Sequence, residues 1–208
     1  MAEMPEIHVA GTGSFALEVV EYARAAGLRV AGLVELLDPS RVGTAIHGLP
    51  VRAAADLPPG GTAVVGAGGD RARHWEVMAA AGWRPATVVH PSASISPSAE
   101  LAPGCVVGPA TVVGAATHLG EHVLVGRGAL VGHHTRLEAG VVLNPGANVA
   151  GHVRIGPGAA IGMGALVADH IEVGARAVVA AGAVVVRPVA EGVRVQGVPA
   201  RPFAGENR

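Results

Sequence analysis

Aromatic residues are nearly absent: Phe, Tyr and Trp together make up 2% of the 208 residues, although half of the chain is apolar. An ordinary core fills space with rings, so this core must be too narrow for them. There is one cysteine, which excludes an internal disulfide framework and fits a reducing compartment. The net charge is −1 and no basic run occurs, so neither nucleic acid nor an acidic membrane surface finds an electrostatic footprint. Long apolar runs are scarce as well. The uncharged stretch from Leu101 to Thr117 carries three Gly and two Pro and barely reaches the minimum length of a membrane span. The segment Met1 to Ile7 is short and acidic and has no apolar signal region, which makes the cytoplasm the expected location. The length suffices for one large domain or two small ones.

A strict period fills the second half of the chain. From Ile95 an aliphatic residue returns every six positions: Ile95, Leu101, Val107, Val113, Leu119, Val125, Val131, Leu137, Leu143, Val149, Ile155, Ile161, Val167, Val173, Val179 and Val185. The next position is small in most hexads, as in Gly108, Gly132, Gly162 and Gly174, and four places on comes another small or β-branched residue, such as Thr111, Ala129 or Ala165. A helix needs a period of 3.6 and a two-sided sheet a period of two. A period of six fits short strands separated by corners, three of which close a triangular coil, with coils stacked at about 4.8 Å. The aliphatics point to the prism axis. The small residue beside each suits a crowded corner, where glycine tolerates unusual dihedrals. Cys105 falls on an inward small position and reads as core filler.

This pattern resembles the hexapeptide-repeat transferase superfamily, which implies a left-handed coil, a homotrimer, and acyl-CoA lying in the cleft between neighbouring prisms.

Residues 7 to about 88 follow another grammar. The strand Ile7 to Ala10 leads into Gly11-Thr12-Gly13-Ser14-Phe15-Ala16, an amphipathic stretch from Leu17 to Ala26, and a strand from Leu28 to Val34 ending on Glu35. A strand, a Gly-rich turn, a helix and a strand-end acid make a nucleotide-binding βαβ pattern. Its glycines let backbone approach a diphosphate at the helix N-terminus, and Glu35 is placed to accept from a ribose or base. A further strand, Thr62 to Val65, leads into Gly66-Ala67-Gly68-Gly69-Asp70 and a helix from Arg71 to Ala81. The unit is too small for both halves of a dinucleotide domain, so a mononucleotide or nucleotide-sugar fits better than NAD.

The expected fold is therefore an N-terminal half-Rossmann-like α/β unit over residues 1–88, followed by a left-handed parallel β-helix with a C-terminal cap over residues 89–208. In this order the two units are similar to bacterial sugar acetyltransferases, those related to UDP-amino-sugar (bacillosamine-pathway) N-acetyltransferases and sialic acid O-acetyltransferases. The matching residues are Gly11 to Glu18, His90-Pro91-Ser92-Ala93 and Gly197-Val198-Pro199-Ala200-Arg201. The resemblance implies an acetyl-CoA donor and an amine or hydroxyl acceptor on a sugar, free or nucleotide-linked, held by Gly11, Gly13, Ser14, Phe15, Glu35 and Gly66.

By the same resemblance, Val131-Gly132-His133-His134 occupies the place of the catalytic motif, and His133 inherits the role of general base, with His134 beside it. Imidazole suits that role because it titrates near neutrality, and such proton transfer is worth about 10²–10⁴ in rate. Relatives carry acids where this chain has Gly132 and His134, so supporting carboxylates are sought in Glu121, Glu138 or a neighbouring subunit. The acetyl-CoA contacts fall on Val142, Met163 and Ala181, with main chain around Gly162 and Gly182 available for the amide arm and Arg187 and Arg201 for phosphates. At Phe15, Leu36 and Val142 relatives carry polar residues.

His134, His152 and His170 recur at an interval of eighteen and should stack along one corner. Stacked imidazoles can ligate a transition metal, which suggests a β-helix hydratase. The third ligand of such enzymes belongs five residues after the second, where Ala175 stands, and no metal is expected. The other alternative is a nucleotide- or metabolite-binding scaffold without catalysis.

Overall fold

The computed structural model describes residues 4–203, so Met1 to Glu3 of the N-terminal segment lie outside the described residues. Each hexad forms one short strand, and strands pair in parallel at an interval of eighteen residues up to the last coil, where Val178–Val179 pairs with Arg194–Val195, sixteen residues on. Three ladders result. Face I runs from Val88–Val89 through Val106–Val107, Leu124–Val125, Val142–Leu143, Ala160–Ile161 and Val178–Val179 to Arg194–Gln196. Face II runs from Ser94–Ile95 to Val184–Val185, and face III from Glu100–Leu101 to Glu172–Val173. The repeating aliphatics fill the prism with almost no exposure, apart from Ile95 and Leu101 in the first coil. Cys105 is buried among them, and burial pushes its thiol up to about 11, as an inert core residue requires. Threonines at inward positions satisfy their hydroxyls on the next coil: Thr117 donates to the Gly132 carbonyl at 3.0 Å and Thr135 to that of Ala150 at 2.9 Å.

The corners differ from the sequence expectation in one respect. The left-handed residue is not the small one beside each aliphatic but the one three places after it: Gly128, Gly146 and Gly164, and equally Ala110, Ala116, His122, His134, His152, His170 and Arg176. The glycine beside the aliphatic is small because the neighbouring coil presses on it. A Cβ on Gly132 would lie 2.4 Å from the carbonyl carbon of Ala150, and one on Gly156 would lie 2.5 Å from the amide of Ala175.

The N-terminal unit is a six-stranded sheet in the order β3-β4-β2-β1-β5-β6, made of β1 (Glu6–Ala10), β2 (Arg29–Glu35), β3 (Ala45–Ile46), β4 (Leu49–Ala53), β5 (Thr62–Val65) and β6 (Arg84–Pro85). All neighbours are parallel except β3 with β4. Helix α1 (Ser14–Ala25) buries Ala16, Val19, Val20 and Ala23, one face at helical spacing, and α2 spans Arg71–Ala80. Strand β4 was not foreseen, although Leu49 and Val51 are buried and Pro50 and Arg52 exposed, the alternation of a half-buried strand.

The unit sits on face I. Val88, Val106, Leu124 and Val142, which point outward from that face, join Val19, Val20 and Tyr22 of the α/β unit in one buried cluster. Arg127 binds both carboxylate oxygens of Glu18 on α1 at 3.0 Å. Arg71, at the start of α2, is buried and donates to the carbonyls of His122 (2.7 Å), Val65 (3.1 Å) and Ala67 (2.6 Å). Trp75 stacks on His122 with ring centroids 4.7 Å apart. Burial, followed by the Arg71 charge, drives His122 down to about 4. At its far end the coil closes with Arg194–Gln196 paired antiparallel to Arg201–Pro202, which covers an otherwise open ladder. No described helix is long and apolar enough to cross a membrane.

Candidate functional site

The chain goes out along β1, α1, β2 and β4 and returns to β5 on the other side of β1. A crevice therefore opens beyond the carboxyl ends of these strands. A cavity of about 380 Å³ lies there, lined by Gly11, Gly13, Ser14, Phe15, Glu35 and Gly66, the six residues named from the sequence, together with Thr12, Asp38, Arg41 and His74. Two glycines are demanded by the strand ends. Gly11 has φ 127°, and a Cβ on Gly66 would lie 2.5 Å from a methyl of Val9.

Glu35 has a different duty from the one expected. Its Oε1 accepts from the amides of Leu36 (2.9 Å), Leu37 (2.7 Å) and Asp38 (3.0 Å), and its Oε2 from the Thr12 hydroxyl. Burial alone would raise this carboxyl. The Thr12 hydroxyl and the three amides outweigh it and hold the group below the usual carboxylate range. Glu35 is thus a brace that folds the 36–38 loop over the cavity, with little capacity left for a ligand. The guanidinium at the cavity is that of Arg41, which the sequence did not reveal. It lies on a short 3₁₀ turn, bonds Asp38 at 3.3 Å, and reaches the Thr12 hydroxyl at 3.1 Å. Its place at the cavity depends on the loop that Glu35 ties, and no local motif encodes that.

His133 stands elsewhere, on the corner between faces II and III. In a three-sided prism this corner is opposite face I, which carries the α/β unit. The His133 and His134 side chains are exposed, with their Nδ1 atoms 3.1 Å apart. Gly151, one coil on, makes room for the His133 ring, since a Cβ there would lie 2.9 Å from its Cε1 and Nε2. Neither acid named from the sequence reaches it: Glu138 pairs with Arg136 (3.3 Å) and Arg154 (3.1 Å), and Glu121 is on the corner between faces III and I. Among the described residues no carboxylate bonds to His133. The eighteen-residue spacing does stack the column, with ring centroids 4.9 Å apart for His134 and His152 and 4.7 Å for His152 and His170.

The residues carried over for acetyl-CoA divide into three places. Met163 and Ala181 lie on the corner between faces I and II, both exposed. The main-chain reading shifts there by one residue. The Gly162 amide is spent on the Val179 carbonyl and that of Gly182 on Met163, each at 2.8 Å, whereas the Met163 and Ala181 amides have no protein acceptor among the described residues. Val142 is buried beneath the α/β unit and lines a second cavity, of about 430 Å³, with Asn144, Ala160, Gly68 and Gly69. Gly68 borders both cavities. Arg187 and Arg201 line a third, of about 300 Å³, at the C-terminal end of the prism.

No protein-family model matches the chain, and no curated protein matches it by sequence. Solved structures do. A histidine-substituted variant of perosamine N-acetyltransferase from Caulobacter crescentus, in complex with CoA and GDP-perosamine, superposes with a TM-score of 0.89 at 30% identity, covering 98% of this chain and 99% of that one. The acetyltransferase domain of PglB from Neisseria gonorrhoeae, in complex with acetyl coenzyme A, gives 0.87 at 34% identity, covering 97% and 100%. The chain belongs to the left-handed β-helix sugar acetyltransferases. WeeI from Acinetobacter baumannii, at 23% identity and a TM-score of 0.85, supports the fold of this acetyltransferase alone.

Proposed function

We propose that this acetyltransferase moves the acetyl group of acetyl-CoA to the amine of a nucleotide-linked sugar, with His133 as general base. The observation that carries the acceptor class is the 380 Å³ cavity: two glycine turns at parallel strand ends, the N-terminus of α1, and the Arg41 guanidinium. Backbone donors and a cation together suit a diphosphate. The sugar then runs past Gly68 toward the cavity above Val142, Asn144 and Ala160. Met163 and Ala181 offer free amides to the pantetheine arm on the adjoining corner. The similar Caulobacter and Neisseria structures, with CoA and GDP-perosamine or with acetyl coenzyme A, fit these roles.

His133 of the same chain stands opposite face I, so a second copy supplies it. Face III is charged on its outer side, with Glu100, Arg136, Arg154 and Glu172. Face I is covered. Face II exposes Val112, Leu130 and Leu166, and it is bounded by both relevant corners, that of Met163 and Ala181 and that of His133. Chains meeting head to tail across face II, as in a closed homotrimer, bring the donor-binding corner of one against the His133 corner of the next.

In the reaction His133 takes a proton from the acceptor nitrogen as it attacks the thioester carbonyl, and CoA leaves as the thiol. The test is thiol release from acetyl-CoA with GDP-, UDP- and dTDP-linked amino-sugars and with free sialic acids. Turnover with a nucleotide-linked amine, cut by about two or more powers of ten in His133→Ala, is the expected result. Turnover with free sugars alone would refute the nucleotide reading, and full activity in His133→Ala would remove His133 from the mechanism.

A further inference from the structure

The corner that carries His133 holds more imidazole than proton transfer needs. His133, His134 and His152 each present a ring nitrogen, and these atoms lie within 4.8 Å of one another. The His133 ring is nearly perpendicular to the other two, at 87° and 88°, with centroids 5.2 and 5.1 Å away. We infer that His133, His134 and His152 form a binding site for one transition-metal ion of the Zn²⁺, Ni²⁺ or Cu²⁺ type.

The distances carry the argument. The Nδ1 atoms of His133 and His134 are 3.1 Å apart. Two imidazole ligands at about 2.0–2.1 Å from an ion, meeting near a tetrahedral or right angle, are separated by about 2.8–3.4 Å. The first pair therefore already has chelate spacing, and an ion takes the place of the proton they share. His152 completes a three-nitrogen set, with water in the fourth position. In the structure its ring lies stacked on that of His134, tilted by 16°, so it must turn about its side-chain torsions to aim a nitrogen at the ion. All three side chains are exposed, and exposed rings turn freely.

The donor set chooses the ion. Three neutral imidazoles favour Zn²⁺, Ni²⁺ and Cu²⁺ over Mg²⁺ and Ca²⁺, which want oxygen. The nearest acid on this corner, Asp169, stands 3.9 Å from His170 rather than on the three ligands. The backbone holds the ligands in register: His152 donates its amide to the His133 carbonyl at 2.9 Å. An ion here engages the nitrogen lone pair of His133 and so suppresses acetyl transfer. That consequence rests on His133 being the base, whereas the binding does not.

The test is calorimetric titration of Zn²⁺ into the full chain, without CoA or sugar, in a non-chelating buffer. One equivalent per chain is expected, weakened by about tenfold or more in His152→Ala and further in the His134→Ala, His152→Ala double variant. Alanine is tolerated at these left-handed corners, as Ala110 and Ala116 show with φ of 55° and 53°, and circular dichroism checks the fold. His118→Ala, on the outside of face III, should bind as the parent does. Equal affinity in the parent and the double variant, or no saturable binding to the parent, would overturn the site. Because no substrate is present, failure of the His133 mechanism leaves this test standing.

Discussion

A glycine one coil away sets the position of the proposed base. The His133 ring lies where a side chain at position 151 would be, with 2.9 Å between its Cε1 and a Cβ built there. Gly151→Ala should therefore displace the ring and lower kcat about tenfold or more, since an ångström of misplacement costs up to about two powers of ten. KM for acetyl-CoA and the melting temperature should change little, and steady-state kinetics with a thermal melt check this. A second prediction concerns His122, held down to about 4 by burial and the nearby Arg71. Its ordinary value is about 6.5, so between about pH 6.5 and 4 the unfolded chain binds a proton that the folded chain refuses. Stability is then lost as pH falls through that window, by up to about 1.4 kcal/mol per unit. His122→Asn, tolerated at a φ of 57°, should flatten the acid limb in pH-dependent denaturation; an unchanged limb would contradict it. The corner position of His133 was legible in the hexad register, while its proposed role rests on the resemblance alone. Arg41 was not, since its approach to Thr12 spans 29 residues of sequence.

At the level of elements the strands and axis of the β-helix could be read almost completely, because one periodicity specifies both together. Its corners could not. Left-handed backbone falls on histidines, alanines and an arginine as well as on glycines, so residue type alone does not mark the position. In the α/β unit the glycine turns and the strand-end acid were visible, but the role of the acid emerged only from the fold. Glu35 is consumed by Thr12 and three amides, which a list of polar residues cannot foretell. Glu35→Gln keeps the shape but weakens four acceptor bonds, so we expect a loss of about 1–3 kcal/mol and a raised KM for the sugar acceptor with kcat nearly kept. Chemical denaturation and acceptor titration measure the two effects. An unchanged KM would mean that the loop does not shape the cavity.

For the whole molecule, the division of labour among three faces matters most. Face I carries the α/β unit, face III is charged, and face II presents Val112, Leu130 and Leu166 between the two corners proposed to bind the donor and to hold the base. A homotrimer could be expected from the sequence only by resemblance, because exposure on one face of a prism is a property of the fold. In the proposed assembly the nucleotide cavity of one chain and His133 of another make one active site. The measurement is mixing. Gly13 has open space around its Cβ position and φ −72°, so Gly13→Trp obstructs the cavity without strain, while His133→Ala removes the base. Each variant alone should be nearly inactive. Assembled together at equal amounts, they should recover about a quarter of the parent rate, since half of the cavities and half of the bases remain intact and they pair at random around a ring. A mixture no more active than the sum of the two variants would contradict the shared site.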